Sequence, residues 1–195
     1  MRLTRSILFA AGLLGSILAA QAAGAPAVGA AAPDFSLTTL DGKSFSLAQA
    51  AQSHKAVVVM FIATKCPYSN AYNDRMRDMS AGYEKQGILF VGINSNKTEP
   101  AEEVASHAKQ HGFGFPLMKD PSNKVADLYG AGHTPEIFVV GPQGKLIYHG
   151  RIDENYEDAT KVTSPDLKNA LDQLLAGKPI VKAETKAFGC SIKRV

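Results

Sequence analysis

Two cysteines are the only thiols in this chain of 195 residues, and their settings differ. Cys66 stands in ATKCPYSN (63–70), directly after the apolar run AVVVMFIA (56–63) and ahead of a helical pattern. A cysteine at a strand-to-helix junction meets unpaired N–H groups and a partial positive charge, and both favour thiolate over thiol. Such settings bring a cysteine pKa from about 8.5 into the range of roughly 3.5–7.5. Pro67 suits the first helical turn, where its missing N–H is not needed. Lys65 adds a cation expected to support the thiolate. Ser69, three residues on, can cap the turn or hydrogen-bond the sulfur, but it cannot form a disulfide. Nucleophilic attack on a disulfide or a peroxide is the chemistry this pattern suits.

Cys190 stands in AFGCSIKRV (187–195), in a C-terminal tail taken as residues 178–195. Phe188 and Ile192 flank it, and apolar residues there imply that the tail docks on the domain. A tail reaching Cys66 would supply the partner thiol that Ser69 is not. The bond so formed could be catalytic, a static bridge, or intermolecular.

The elements that must position these thiols follow from hydrophobic periodicity. DFSLTTLDGKSFSLA (34–48) alternates around Asp41-Gly42, a hairpin signal. Residues 56–63 and 88–95 read as buried strands. A helix is expected from about Pro67 to Lys85, another from Glu99-Pro100 to about His111, and a short one over 122–130. FPLMKD (115–120) is a short extended piece, and 136–141 with 145–150 form a hairpin. A last helix runs from about Pro165 to Ala176, stopped by Gly177 and Pro179. Strands alternating with helices and ending in a hairpin give an α/β sandwich with a mixed sheet, as one domain. Residues 23–32, rich in Ala and Gly, are expected to be a flexible leader.

The N-terminus reads as a targeting segment. Arg2 and Arg5 precede the apolar stretch ILFAAGLLGSILAA (7–20), and Ala20-Gln21-Ala22 fits the small-x-small cleavage rule. A cleaved signal over 1–22 is expected, with an N-terminal anchor as the alternative. The stretch is shorter than the roughly 20 residues that span a bilayer, so no stable membrane span is expected after cleavage. A periplasmic or secreted protein follows, in a compartment that permits disulfides. The formal net charge of +3 falls when both arginines leave, and no basic stripe remains for nucleic acid. There is no glycine-rich phosphate loop and no Ser/His/Asp set. His107 and His111 stand four apart with Glu103 one turn earlier, which could hold a metal. No fourth ligand accompanies them, so a solvated helix face is expected there.

FIATKCPYS (61–69) resembles the active-site segment of thioredoxin-superfamily redoxins, especially exported TlpA-like proteins, whose pattern is F-x-A-T-W-C-x-x-C. Phe61, Ala63, Thr64, Cys66 and Pro67 match it; Lys65 and Ser69 depart from it. GHTPEIFVV (132–140) resembles the segment that places a cis-proline opposite the catalytic cysteine. Pro135 would be that residue, with Thr134 and His133 beside the thiol. APDFSLTTLDGK (32–43) resembles the entry hairpin shared by TlpA-like proteins and AhpC/TSA-type peroxiredoxins. The three landmarks span about 28–177 and imply a thioredoxin-like fold with Cys66 as nucleophile. Peroxiredoxins would show P-x-x-x-T-x-x-C and an arginine near the position of Thr134-Pro135. Here Val59 stands in place of that proline, and Arg151, in YHGRID, is the candidate to substitute for the arginine.

The resemblance implies an exported thiol-disulfide oxidoreductase that needs no bound cofactor and no metal. Its partners would be a protein or small-molecule disulfide, or a peroxide, and an upstream thiol electron donor. One alternative is a thiol peroxidase in which Cys190 resolves a Cys66 sulfenic acid. Another is a non-catalytic binding module whose tail is locked over Cys66 by a disulfide.

Overall fold

The computed structural model describes residues 24–195, so the expected signal segment 1–22 lies outside the described residues. The centre is a five-stranded mixed sheet in the order β5-β4-β3-β7-β8. Its strands are β3 (Ala56–Phe61), β4 (Ile88–Asn94), β5 (Leu117–Lys119), β7 (Glu136–Val140) and β8 (Leu146–Gly150). β3 pairs parallel with β4 and antiparallel with β7. An N-terminal hairpin, β1 (Ser36–Thr38) and β2 (Ser44–Ser46), turns at Asp41-Gly42 as expected, with Gly42 at φ +87°.

Alternation along β3 divides the core in two. Ala56, Val58 and Met60 face a cluster with Met76 and Tyr83 of α3 (Asn73–Glu84), Val104 of α4 (Ala101–Gln110), and Leu167 and Leu171 of α6 (Asp166–Leu175). Val57, Val59 and Phe61 face the other side, with Leu47 and Ala50 of α1 (Leu47–Ser53) and Val125 and Tyr129 of α5 (Lys124–Tyr129). Every β3 residue is buried, which is why the run is continuous rather than alternating in sequence. Each large apolar side chain so buried contributes about 1.5–3 kcal/mol. Among the described residues no helix is long and apolar enough to cross a membrane.

Three expectations change in detail. The helix over 67–85 is two pieces, α2 (Pro67–Ala71) and α3, meeting at Tyr72. At this joint the Tyr72 ring is buried, its hydroxyl donates to Asp153, and the Arg75 guanidinium lies 4.1 Å from the ring centroid. Residues 29–32 are not a free leader. Gly29 and Ala32 N–H groups donate to the carbonyls of Leu146 and Gly144, and Ala30 accepts from Leu146, because the start of β8 would otherwise present unpaired backbone groups. α1 follows directly on β2, where Ser46 caps it, and the alternating run had concealed it.

The tail is anchored along its length. The Thr185 N–H donates to the His149 carbonyl of β8, the His149 N–H donates to the Ala183 carbonyl, and the Thr185 hydroxyl accepts from Arg151 N–H. Further on, β9 (Cys190–Ser191) pairs antiparallel with β6 (His133–Thr134). Ile192 donates to the Gly132 carbonyl and is buried in the core. Lys193, Arg194 and Val195 reach Asn96, Asp127 and Asn123. Gly189 makes the crossing possible. It sits at φ +143°, and a Cβ there would run into the Thr134 carbonyl group. We expect Gly189→Ala to lift residues 189–195 off β6, read as faster proteolytic loss of the C-terminal peptide at unchanged far-UV circular dichroism.

Candidate active site

Cys66 follows β3 and is the N-cap of α2, with extended backbone angles (φ −91°, ψ 116°). It is 2% exposed. Its thiol donates to the Thr134 carbonyl at 3.1 Å, and the Ser69 N–H points at the sulfur at 3.4 Å. α2 is only five residues long, so the individual N–H group matters more than any summed helix dipole. Thr134 precedes Pro135 through a cis peptide bond, as the proline landmark implies. The Thr134 hydroxyl is buried and has no hydrogen-bond partner.

Cys190 arrives opposite this sulfur because β9 pairs Cys190 with Thr134, the residue that accepts the Cys66 thiol. Both cysteines are free, and their protonation is linked. Burial pushes the Cys66 thiol up. The Cys190 thiol, the Thr134 hydroxyl, and the Ser69 and Cys190 N–H groups outweigh it and bring Cys66 below an ordinary thiol. Cys190 moves the other way, pushed up to about 11 by burial first and then by the Cys66 anion beside it. Of the two thiols Cys66 is therefore the first to lose its proton, with Cys190 kept protonated as the donor beside it.

The supporting residues divide into those at the sulfur and those elsewhere. Thr134, Pro135 and the Ser69 backbone are at the site. The Ser69 hydroxyl serves a different purpose: it accepts the Ala63 N–H and fixes the strand end. The Lys65 ammonium is turned away from Cys66. It pairs with Glu103 at 2.9 Å and donates to the Thr98 carbonyl, so the expected cation is already engaged. Arg151 is likewise engaged, with Asp166 at 2.7 Å. The Thr64 hydroxyl donates to Glu103. His133 is half-exposed on β6, 3.8 Å from Glu136. His107 contacts Asn73, and its ring lies 4.3 Å from that of His111.

Two buried carboxylates were missed. Glu99 accepts the N–H groups of Thr64 (2.7 Å) and Lys65 (3.2 Å), the loop leading into Cys66. Glu136 accepts those of Gly132 (2.8 Å) and His133 (2.9 Å), the loop leading into Pro135, while His149 donates to its other oxygen. Both carboxyls are held below the usual range: burial opposes the charge, but the donors outweigh burial. The only trace of Glu136 in the sequence is an acid opening an otherwise apolar strand. Glu99 looked like an ordinary acid at a helix start.

A family model described as the AhpC/TSA family matches residues 28–149. The chain belongs to the AhpC/TSA family. A thiol-disulfide oxidoreductase ResA of Geobacillus thermodenitrificans is 32% identical over 122 residues, covering 63% of this chain and 68% of that protein. A hypothetical protein of Sinorhizobium meliloti is similar in structure, with TM-score 0.80 and 34% identity, over 88% of this chain and 97% of that one. A putative thiol:disulfide interchange protein DsbE of Chlorobium tepidum shares the fold at TM-score 0.61 and 23% identity, over 77% and 96% of the two chains. The fold of this AhpC/TSA member is thus thioredoxin-like.

The sign of the pH dependence follows from the two cysteines. Lowering the Cys66 pKa makes its thiolate available below the ordinary thiol range, so its alkylation rate should level off at a lower pH than that of a free cysteine. Cys190→Ala removes the thiol donor, and the Cys66 midpoint should rise. Lys65→Ala should leave it in place, because that ammonium already serves Glu103. Alkylation rate against pH in the three proteins reads both outcomes.

Proposed function

We propose that the protein is a thiol-disulfide oxidoreductase in which Cys66 is the nucleophile and Cys190 the resolving thiol. The observation that carries this reading is the pairing of Cys190 with Thr134, which sets the second thiol against a Cys66 sulfur already favoured as an anion. The relationship to proteins called thiol-disulfide oxidoreductase ResA supports it.

The reaction has two exchanges. The Cys66 thiolate attacks one sulfur of a substrate disulfide; a Cys66–substrate bond forms, the substrate S–S bond breaks, and the departing thiolate takes a proton. Cys190 then loses its proton and attacks the Cys66 sulfur. The Cys66–Cys190 bond forms, the second substrate thiolate leaves, and two electrons have passed to the substrate. An external thiol system returns the protein to the dithiol. Because Cys190 is the more exposed sulfur and Cys66 the lower-pKa leaving group, that reductant attacks Cys190 and expels Cys66.

The substrate is a disulfide of protein or small-molecule type outside the cytoplasm, in keeping with the signal pattern of residues 1–22. Peroxide would be handled by the same two sulfurs through a Cys66 sulfenic acid, with water released when Cys190 closes the bridge. The engagement of Arg151 with Asp166 favours disulfide exchange over that route. The expected result for Cys190→Ser is an intact first attack with no release: a stable Cys66 mixed disulfide accumulates with a model disulfide substrate, seen by mass spectrometry under non-reducing conditions. Turnover by Cys190→Ser at the wild-type rate would mean that Cys66 works alone.

A further inference from the structure

We infer that Glu99 is a positioning residue that clasps both cysteine-bearing segments and so sets how readily the Cys66–Cys190 bond closes. The inference rests on the dithiol reading above. Glu99 is 1% exposed, and its carboxylate receives four hydrogen bonds from three directions. Thr64 and Lys65 N–H groups come from the loop that delivers Cys66. The Asn94 amide donates at 2.6 Å from the end of β4, and that side chain is itself held by Lys119. The Asn96 amide donates at 2.9 Å, and its carbonyl oxygen accepts the N–H of Lys193 at 2.7 Å. Lys97 N–H donates to the Lys193 carbonyl, so the tail is gripped on both sides three residues after Cys190.

One carboxylate therefore connects, through a single amide side chain, the backbone one residue before Cys66 to the backbone three residues after Cys190. Nothing in this path touches a sulfur. Its effect is geometric. Two thiols on independent segments close a bridge only as often as those segments come into register, and small misplacements of reacting atoms cost up to about a hundredfold in rate. A buried carboxylate is a strong clasp because its alternative is an unpaired buried charge. It also faces donors only, so an amide cannot replace it: whichever way Gln is turned, its NH2 group meets N–H donors.

The test is the equilibrium between the Cys66–Cys190 bridge and glutathione, read by alkylation and mass spectrometry on the mature chain in redox buffers. Glu99→Gln should lower the effective concentration of the two thiols roughly tenfold or more, where tenfold corresponds to about 30 mV for this two-electron couple. Asn96→Ala leaves the contacts of Glu99 to Thr64 and Lys65 and removes the side-chain link from Glu99 to Lys193; it should lower the value too, and it carries the test if Glu99→Gln fails to fold. Tyr83→Phe loses a hydrogen bond to Asp172 far from this path and is the stability control, expected to match wild type. Wild-type values in both Glu99→Gln and Asn96→Ala would overturn the inference and leave the dithiol reading standing. A wild-type protein that forms no intramolecular bridge would overturn the dithiol reading itself, and the inference with it.

Discussion

The Cys66 sulfur is 2% exposed, and the chemistry asks it to carry a negative charge. Burial alone pushes a thiol toward its neutral form. Everything around the sulfur is arranged against that tendency. The Ser69 N–H exists because α2 begins there, and α2 begins there because Pro67 and the end of β3 leave no other path. The Thr134 hydroxyl, buried and without another partner, favours the thiolate. The Cys190 thiol completes the set, and it comes from the far end of the chain. The fold thus brings three distant segments to one atom, and the sheet order β4-β3-β7 places the ends of two of them side by side.

Using a second thiol as a donor has a consequence for the order of reaction. The Cys190 thiol helps to lower Cys66, and the Cys66 charge raises Cys190. The resting state is therefore asymmetric. In the reaction proposed above, Cys66 would attack first, and Cys190 would keep its proton until the Cys66 charge is spent in a mixed disulfide. Once that charge is gone, part of what held the Cys190 proton is gone as well, and the resolving attack becomes easier. On that reading the order of the two exchanges follows from the electrostatics of the pair.

The fold was legible because its signals were local and redundant. β3 and β4 are apolar throughout, Asp41-Gly42 marks a hairpin, and Gly130 and Gly177 end helices at positive φ. Cys66 and the cis bond before Pro135 were legible by motif, and docking of the tail by the apolar residues around Cys190. The side chains that tune the site were not. Lys65 is adjacent to Cys66 in sequence, yet neighbouring residues at the start of a helix point in different directions, and Glu103 on α4 captures its ammonium. Arg151 is captured by Asp166 of α6 in the same way. Such competition is decided by tertiary neighbours that no window of sequence contains. Glu99 and Glu136 stayed hidden for the converse reason: each works on backbone N–H groups, which carry no residue identity to read.

Those two carboxylates belong to a wider pattern at this end of the sheet. A strand satisfies its neighbours' backbone only while it lasts, and where β3, β4 and β5 stop, the emerging loops carry N–H groups with no ladder partner. The chain supplies acidic side chains instead, each to a pair of successive N–H groups: Glu99 to Thr64 and Lys65, Glu136 to Gly132 and His133, and Asp120 to Val125 and Ala126. A carboxylate is suited to this because it accepts only, with room for several donors at once. The pairs lie just before Cys66, just before the Thr134-Pro135 bond, and within the first turn of α5. α5 in turn gives Tyr129 to the core and lies beside the docked C-terminus. The charges of these three carboxylates are thus taken up by backbone N–H groups, around a site whose proposed anion is a thiolate.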